Sequence, residues 1–189
     1  MSEPRTTILF DIWILSHITT GLLDEALAGS GLNGDDFGLY SLLRGWAPAT
    51  PGEVAQWSGM RPNTVSVALK RIESRGHLDR SPNPRDGRSS IVALNDRGLT
   101  AHAIAAQGFF EAMKEVHGEL SDTPSVRVVL QRLDGVLRQV ADAGPRPYSV
   151  PDTDQDWNLV FSGPPLTDAQ ERDVRRYVDW VRSADESST

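Results

Sequence analysis

The chain has 189 residues, 39% of them apolar, a formal charge of −7 and no cysteine. That length accommodates one domain with an extension, and the missing cysteines exclude disulfides, thiolate metal sites and thiol redox sensing. No apolar run reaches the roughly 20 residues that span a bilayer. Residues 1–5 lead into a segment interrupted by Asp11 rather than into a signal peptide, so a cytoplasmic location is expected.

Residues 7–28 repeat apolar side chains at three- and four-residue steps, among them Ile8, Ile12, Leu15, Ile18 and Leu22. This spacing predicts a long amphipathic helix, with an apolar surface broad enough to pack on two sides. The loop that follows, residues 29–34, fits a G-x-G-x-x-G pattern but comes after a helix instead of a strand, so no dinucleotide site is expected. A second helix is predicted over residues 35–46, with Phe37, Tyr40, Leu42 and Leu43 as core. Residues 47–49 read as a connector.

Thr50-Pro51-Gly52-Glu53 is a capping box with proline at the first helical position. Its short helix runs to Ser58 and stops at Gly59. Pro62 opens another helix that ends at Arg75, before Gly76. Two short helices around a glycine turn make a helix-turn-helix. Strands are predicted at residues 77–81 and 89–94, with residues 82–88 as the hairpin tip. Asn95 caps a long helix over residues 96–118, and a further helix spans about residues 123–143. The segment after Gly144 is acidic and irregular up to a last helix introduced by a capping box at Thr167. These boundaries divide the chain into an N-terminal dimerisation helix (1–34), a winged helix-turn-helix (35–98), C-terminal dimerisation helices (99–143) and an acidic extension (144–189).

Charge is distributed unevenly. Residues 61–98 hold eight basic and four acidic side chains, a net of +4, and the rest of the chain carries −11. Affinity for phosphate follows local basic density and not the total. On the helix from Pro62, Val65, Ala68, Leu69 and Ile72 share one face. The other carries Asn63, Ser66, Val67, Lys70 and Arg71, groups suited to base edges and phosphates in a major groove. An ordinary solvated face would also be polar, but the preceding helix, the turn and the basic hairpin all agree with a DNA-reading unit. At the hairpin tip, Arg85 and Arg88 suit a narrow minor groove, and Asp86 has the reach to pair with a neighbouring arginine.

The stretch 39–98 resembles the multiple-antibiotic-resistance regulator (MarR) family of transcription factors. The matching pieces begin at Thr50, Asn63, Arg71 and Pro84, the last running through Asp86-Gly87-Arg88 to Val92-Ala93-Leu94 and Gly98. Helix order extends the resemblance to residues 7–143. It implies a mostly α fold with a two-stranded wing, set in a homodimer whose first and last helices interlock, with two winged units on successive major grooves. It also implies a repressor that releases a palindromic operator when a small aromatic or phenolic effector binds. By the resemblance, Asn63, Thr64, Ser66, Lys70 and Arg71 fall on the recognition helix, and Asp86 and Arg88 on the wing motif. Val67 and Gly87 stand where many members have arginine, and Asn95 replaces the usual threonine cap.

Base contact is therefore assigned to Asn63, Ser66, Val67 and Lys70, and backbone or minor-groove contact to Thr64, Arg71, Arg85 and Arg88, with Arg61 and Asp86 beside them. Trp13, His17, Phe37, Tyr40, Arg44 and Trp46 are candidates for an effector pocket, since aromatics with a basic group suit an aromatic carboxylate or phenol. Plain core packing is the alternative for each. The four scattered histidines form no metal set, and residues 152–163 fail as a calcium loop because Trp157 and Gly163 stand where glycine and glutamate are needed. No metal, cofactor or catalytic set is expected. The runner-up to a DNA-binding regulator is a winged-helix protein-interaction module that no longer binds DNA.

Overall fold

The computed structural model describes residues 7–120 and 123–147. Within them the order is α1 (Ile8–Ala26), α2 (Gly34–Trp46), α3 (Pro51–Ser58), α4 (Pro62–Ser74), β1 (Leu78–Pro82), β2 (Ser90–Leu94), α5 (Asp96–Glu119) and α6 (Thr123–Val140). This is the expected mostly α chain with a two-stranded wing. The helix predicted from Thr167 lies outside the described residues.

Caps account for most boundaries. Thr7 Oγ1 accepts from Phe10 N–H at 3.3 Å, Asn33 Oδ1 from Asp36 N–H at 2.8 Å, and Asn95 Oδ1 from Gly98 N–H at 3.1 Å. At α3 the capping box is reciprocal: Glu53 N–H donates to Thr50 Oγ1 at 3.2 Å, and Thr50 N–H donates to Glu53 Oε2 at 2.7 Å. Each such cap contributes about 1 kcal/mol by satisfying a first-turn donor. Gly59 ends α3 at φ +71°, a left-handed conformation that a side chain would strain. The turn to α4 depends on it.

The core gathers Leu27, Leu39, Tyr40 and Leu43 against Val54, Val65, Leu69 and Ile72, with Leu78 and Val92 from the wing and Ala105 and Ala106 from α5. The strands pair antiparallel from Leu78 with Leu94 to Pro82 with Ser90. Two details differ from the sequence expectation. Pro82, placed in the hairpin tip, is the last residue of β1, where a missing N–H is tolerated. Ala49, placed in a connector, exchanges two main-chain hydrogen bonds with Val92 (3.1 and 2.8 Å) and adds a one-residue third strand.

Two helices keep their apolar faces open. No residue of α1 is buried, and Ile8, Leu9, Trp13, Leu15 and Ile18 are each more than half exposed. On α6, Val129, Leu130, Val136 and Val140 are as open. By contrast, the C-terminal end of α1 is docked firmly. Gly108 of α5 passes so close to the Ala26 carbonyl that a Cβ there would collide with it.

Candidate nucleic-acid interface

The amphipathic pattern of α4 is realised residue by residue. Val65, Ala68, Leu69 and Ile72 are buried, while Asn63, Thr64, Ser66, Val67 and Lys70 are exposed, Val67 at 64%. Arg61 precedes the helix, also exposed, and offers it no side-chain cap. The first N–H groups of α4 therefore stay open beside the polar face, at the positive end of the helix dipole.

Arg71 is placed differently from its neighbours. Its Nη2 donates to Asp36 Oδ1, and Arg75 Nη1, one turn on, donates to Asp36 Oδ2 at 2.7 Å. The Asp36 side chain is 1% exposed, at the first turn of α2. Tyr40, one turn further along α2, extends the pairing. Arg75 also lies near the Tyr40 hydroxyl, which is 2.8 Å from His77 Nδ1. An i,i+4 pair on α2 thus meets Arg71 and Arg75, four apart at the end of α4 and its C-cap. Burial raises the Tyr40 pKa, offset in part by the nearby Arg75 guanidinium. For Arg75, desolvation is outweighed by its bond to Asp36 and by the neighbouring Tyr40, and its pKa is raised. Arg71 was expected to face the nucleic acid. It is exposed like the rest of that face, and one nitrogen of its guanidinium reaches the buried Asp36 carboxylate.

The wing tip is held by its own main chain. Asn83 Oδ1 accepts from Arg85 N–H at 2.9 Å, and Asp86 Oδ1 from Arg88 N–H at 3.0 Å. These two Asx-type turns rigidify a loop that carries Arg85 and Arg88 outward, both exposed. Asp86 therefore aims the tip through a backbone bond, where pairing with an arginine side chain was expected. Arg80 ties the wing to α4, donating to Glu73 at 3.4 Å and to Ser90 Oγ at 2.8 Å.

The six aromatic and basic candidates for a small-molecule pocket separate into groups. Trp13 lies on the open face of α1, with its ring 5.8 Å from Phe10 and 4.5 Å from His17. Phe37 and Tyr40 point into the core, and Arg44 and Trp46 are half-buried at the end of α2. Phe37 stacks on His102 of α5 at 5.0 Å. His102, 4% exposed, has Arg44 Nη1 at 3.2 Å from Nδ1 and Ser41 Oγ at 3.0 Å from Nε2. Ser41 in turn donates to the Phe37 carbonyl at 2.8 Å. The partners define a neutral imidazole that accepts from Arg44 and donates to Ser41. Burial first, then the Arg44 charge, depress the His102 pKa to about 4. Desolvation also lowers that of Arg44. Neither Asp36 nor His102 stood out in the sequence. The only signal was spacing: Asp36 and Tyr40 four apart, matched by Arg71 and Arg75 four apart.

A glycine-turned helix pair, an exposed polar face on its second helix and a basic two-stranded wing define a winged helix-turn-helix. The chain shares this fold with MarR-type regulators. It superposes on MarR from E. coli in its apo form with a TM-score of 0.58 at 22% identity, over 71% of this chain and 99% of that one. A DNA complex of MepR from S. aureus matches at TM-score 0.61 and 18% identity, over 71% and 99% of the two chains. PcaV from Streptomyces coelicolor, in complex with its natural ligand, matches at 0.61 and 21%, over 76% and 99%. Among curated proteins, an uncharacterised HTH-type transcriptional regulator of Mycobacterium bovis is 26% identical over 96 residues, 51% of this chain; the match spans 66% of that relative's own length. An HTH-type transcriptional regulator of Mycobacterium tuberculosis matches equally. No family model matches the chain.

Proposed function

We propose that the chain is a homodimeric, sequence-specific DNA-binding transcriptional regulator. The observation that carries this reading is the α4 face: Asn63, Thr64, Ser66, Val67 and Lys70 stand exposed on a helix whose opposite side is fully packed, beside a wing that presents Arg85 and Arg88. Asn63, Ser66, Val67 and Lys70 are assigned to base edges, and Thr64, Arg61, Arg85 and Arg88 to phosphates or the minor groove. Arg71 is given a positioning role, since its guanidinium is committed to Asp36.

The open apolar faces of α1 and α6 supply the dimer stem, which fits a division into dimerisation helices (1–34 and 99–143), a winged unit (35–98) and an acidic extension (144–189). Two reading heads related by a two-fold axis select a palindrome with half-sites about one helical turn apart. Repression relieved by a small aromatic or phenolic effector is the mode proposed, with Arg44 and Trp46 at the end of α2 and Trp13 and His17 on α1 as its lining; the other two candidates, Phe37 and Tyr40, are packed in the core. The direct test is recovery of genomic fragments by the purified protein at two salt concentrations. A palindromic site recovered with steep salt dependence supports the reading. Salt-insensitive capture of a protein with no DNA retained would replace it by an interaction module, for which the exposed Val67 is the favouring feature.

A further inference from the structure

Arg138, in the last turns of α6, makes four hydrogen bonds. Nε donates to Asp134 Oδ2 at 2.9 Å, Nη1 to the Gln56 carbonyl at 2.8 Å and to the Gly144 carbonyl at 2.9 Å, and Nη2 to the Trp57 carbonyl at 2.9 Å. Gln56 and Trp57 belong to the last turn of α3, whose carbonyls have no partner within their own helix. A guanidinium there meets both the orphan acceptors and the negative end of the helix dipole. The side chain is 14% exposed, so this is an inserted group and not a surface contact.

The segment after α6 closes the knot. Arg146 Nε donates to the same Asp134 oxygen at 2.7 Å, and Gln56 Nε2 reaches the Pro145 carbonyl at 3.4 Å. Burial by itself would raise the Asp134 pKa, but the hydrogen bonds from Arg146 and Arg138 hold it below the usual carboxylate range.

The location gives this knot its consequence. Most apolar side chains of α6 are open, with Val129 at 62% and Val140 at 82% exposure, and the half-buried Leu133 and Leu137 do not join the core of the head, so hydrophobic packing contributes little to holding α6 to it. The attachment is polar and concentrated at one end of α3. That helix is followed, across the Gly59 turn, by α4. Any tilt of α3 against α6 therefore reaches the recognition helix.

We propose that Arg138 is a positioning residue that fixes the winged head against α6, and thereby sets the distance between the two recognition helices of the dimer. The proposal rests on the dimeric DNA-binding reading for its consequence and on the Arg138 geometry for its mechanism. Spacing selectivity, more than intrinsic affinity for one half-site, is what the contact controls.

Two measurements on the full chain separate these parts. The absence of cysteine makes Val67→Cys with Arg132→Cys a unique pair of spin-label sites, one on α4 and one on an exposed position of α6. Diluting labelled chain into excess unlabelled chain isolates the distance within one protomer. The parent is expected to give a narrow distribution, and Arg138→Ala a broad one. Asp134→Asn, which removes the carboxylate but leaves the guanidinium on the α3 carbonyls, should fall between them and serves if Arg138→Ala melts early. Equal distributions in all three folded proteins would overturn the proposal. The second measurement compares the recovered operator with one whose half-sites are moved apart by one base pair. The unlabelled parent should lose about tenfold in affinity and Arg138→Ala about twofold or less. Broadened distances with unchanged spacing selectivity would confine Arg138 to a structural role. A parent that binds no DNA would sink the regulator reading, yet the label distances would still decide whether Arg138 holds the head.

Discussion

Asp36 and Arg71 join α2 to α4 through a carboxylate side chain that is 1% exposed, while the arginine side chain keeps 42% of its surface open. The asymmetry makes the two sides of the pair unequal in cost. Removing the carboxylate in Asp36→Ala leaves Arg71 and Arg75 able to turn into water, and the expected loss is about 2 kcal/mol. Removing both arginines leaves a buried carboxylate with no counter-charge, and Arg71→Ala with Arg75→Ala is expected to lose about 4 kcal/mol. Urea unfolding of the two variants checks the order. A double variant no less stable than Asp36→Ala would refute the account.

The same commitment separates Arg71 from the wing arginines in DNA binding. Arg88→Ala is expected to lower the slope of log affinity against log salt by about one, as one counterion fewer is released. Arg71→Ala should leave that slope nearly unchanged and act instead through the stability of the head. Titrations of one operator at three or more salt concentrations distinguish the two. A slope lowered equally by both variants would return Arg71 to the phosphate-contacting set.

Local signals carried the element order. Thr50, Pro51 and Glu53 mark the start of α3, Gly59 its end and Gly76 the end of α4, because caps and left-handed turns depend on residues adjacent in sequence. The exposed set on α4 was equally legible, since helical periodicity alone assigns Val65, Ala68, Leu69 and Ile72 inward. Pairings across 35 to 39 residues were not. Nothing near Arg71 in sequence indicates that Asp36 will lie beneath it, and an exposed arginine has the length to turn either way. His102 escaped notice for a related reason. Its two ring partners, Ser41 and Arg44, lie on a different helix about 60 residues earlier.

His102 also makes the stability of the head depend on pH. Unfolded, an imidazole takes up its proton near pH 6.5; folded, this one does so only near 4. Between those values the unfolded chain binds more protons, so stability is full above 6.5, falls with decreasing pH and levels off below about 4. The shift corresponds to about 3 kcal/mol across that window. Carboxylates with ordinary pKa values titrate at the acid end of the same range, so the quantity to measure is the difference between the parent and His102→Gln, by denaturant unfolding from pH 4 to 7. The parent should lose more than the variant on acidification. Parallel curves would mean that His102 is protonated in the folded head.

The open face of α1 yields the prediction on assembly. Leu15 and Ile18 are 56% and 63% exposed in the single chain, next to Trp13 at 57%. A patch of this size on a long helix with no buried residue of its own needs a partner. In a two-fold interface each substitution occurs twice, so Ile18→Glu places two carboxylates in the stem. Desolvating them costs at least about 3 kcal/mol, which weakens the dimer a hundredfold or more. Sedimentation velocity should show the parent as a dimer and Ile18→Glu as a monomer at micromolar concentration. The α3, α4 and wing core does not include Ile18, so the monomer should keep its helical signal and its cooperative unfolding. Its affinity for a palindrome should fall to that of one half-site, because the second head is no longer tethered. A variant that stays dimeric with full operator affinity would place the stem elsewhere than on α1.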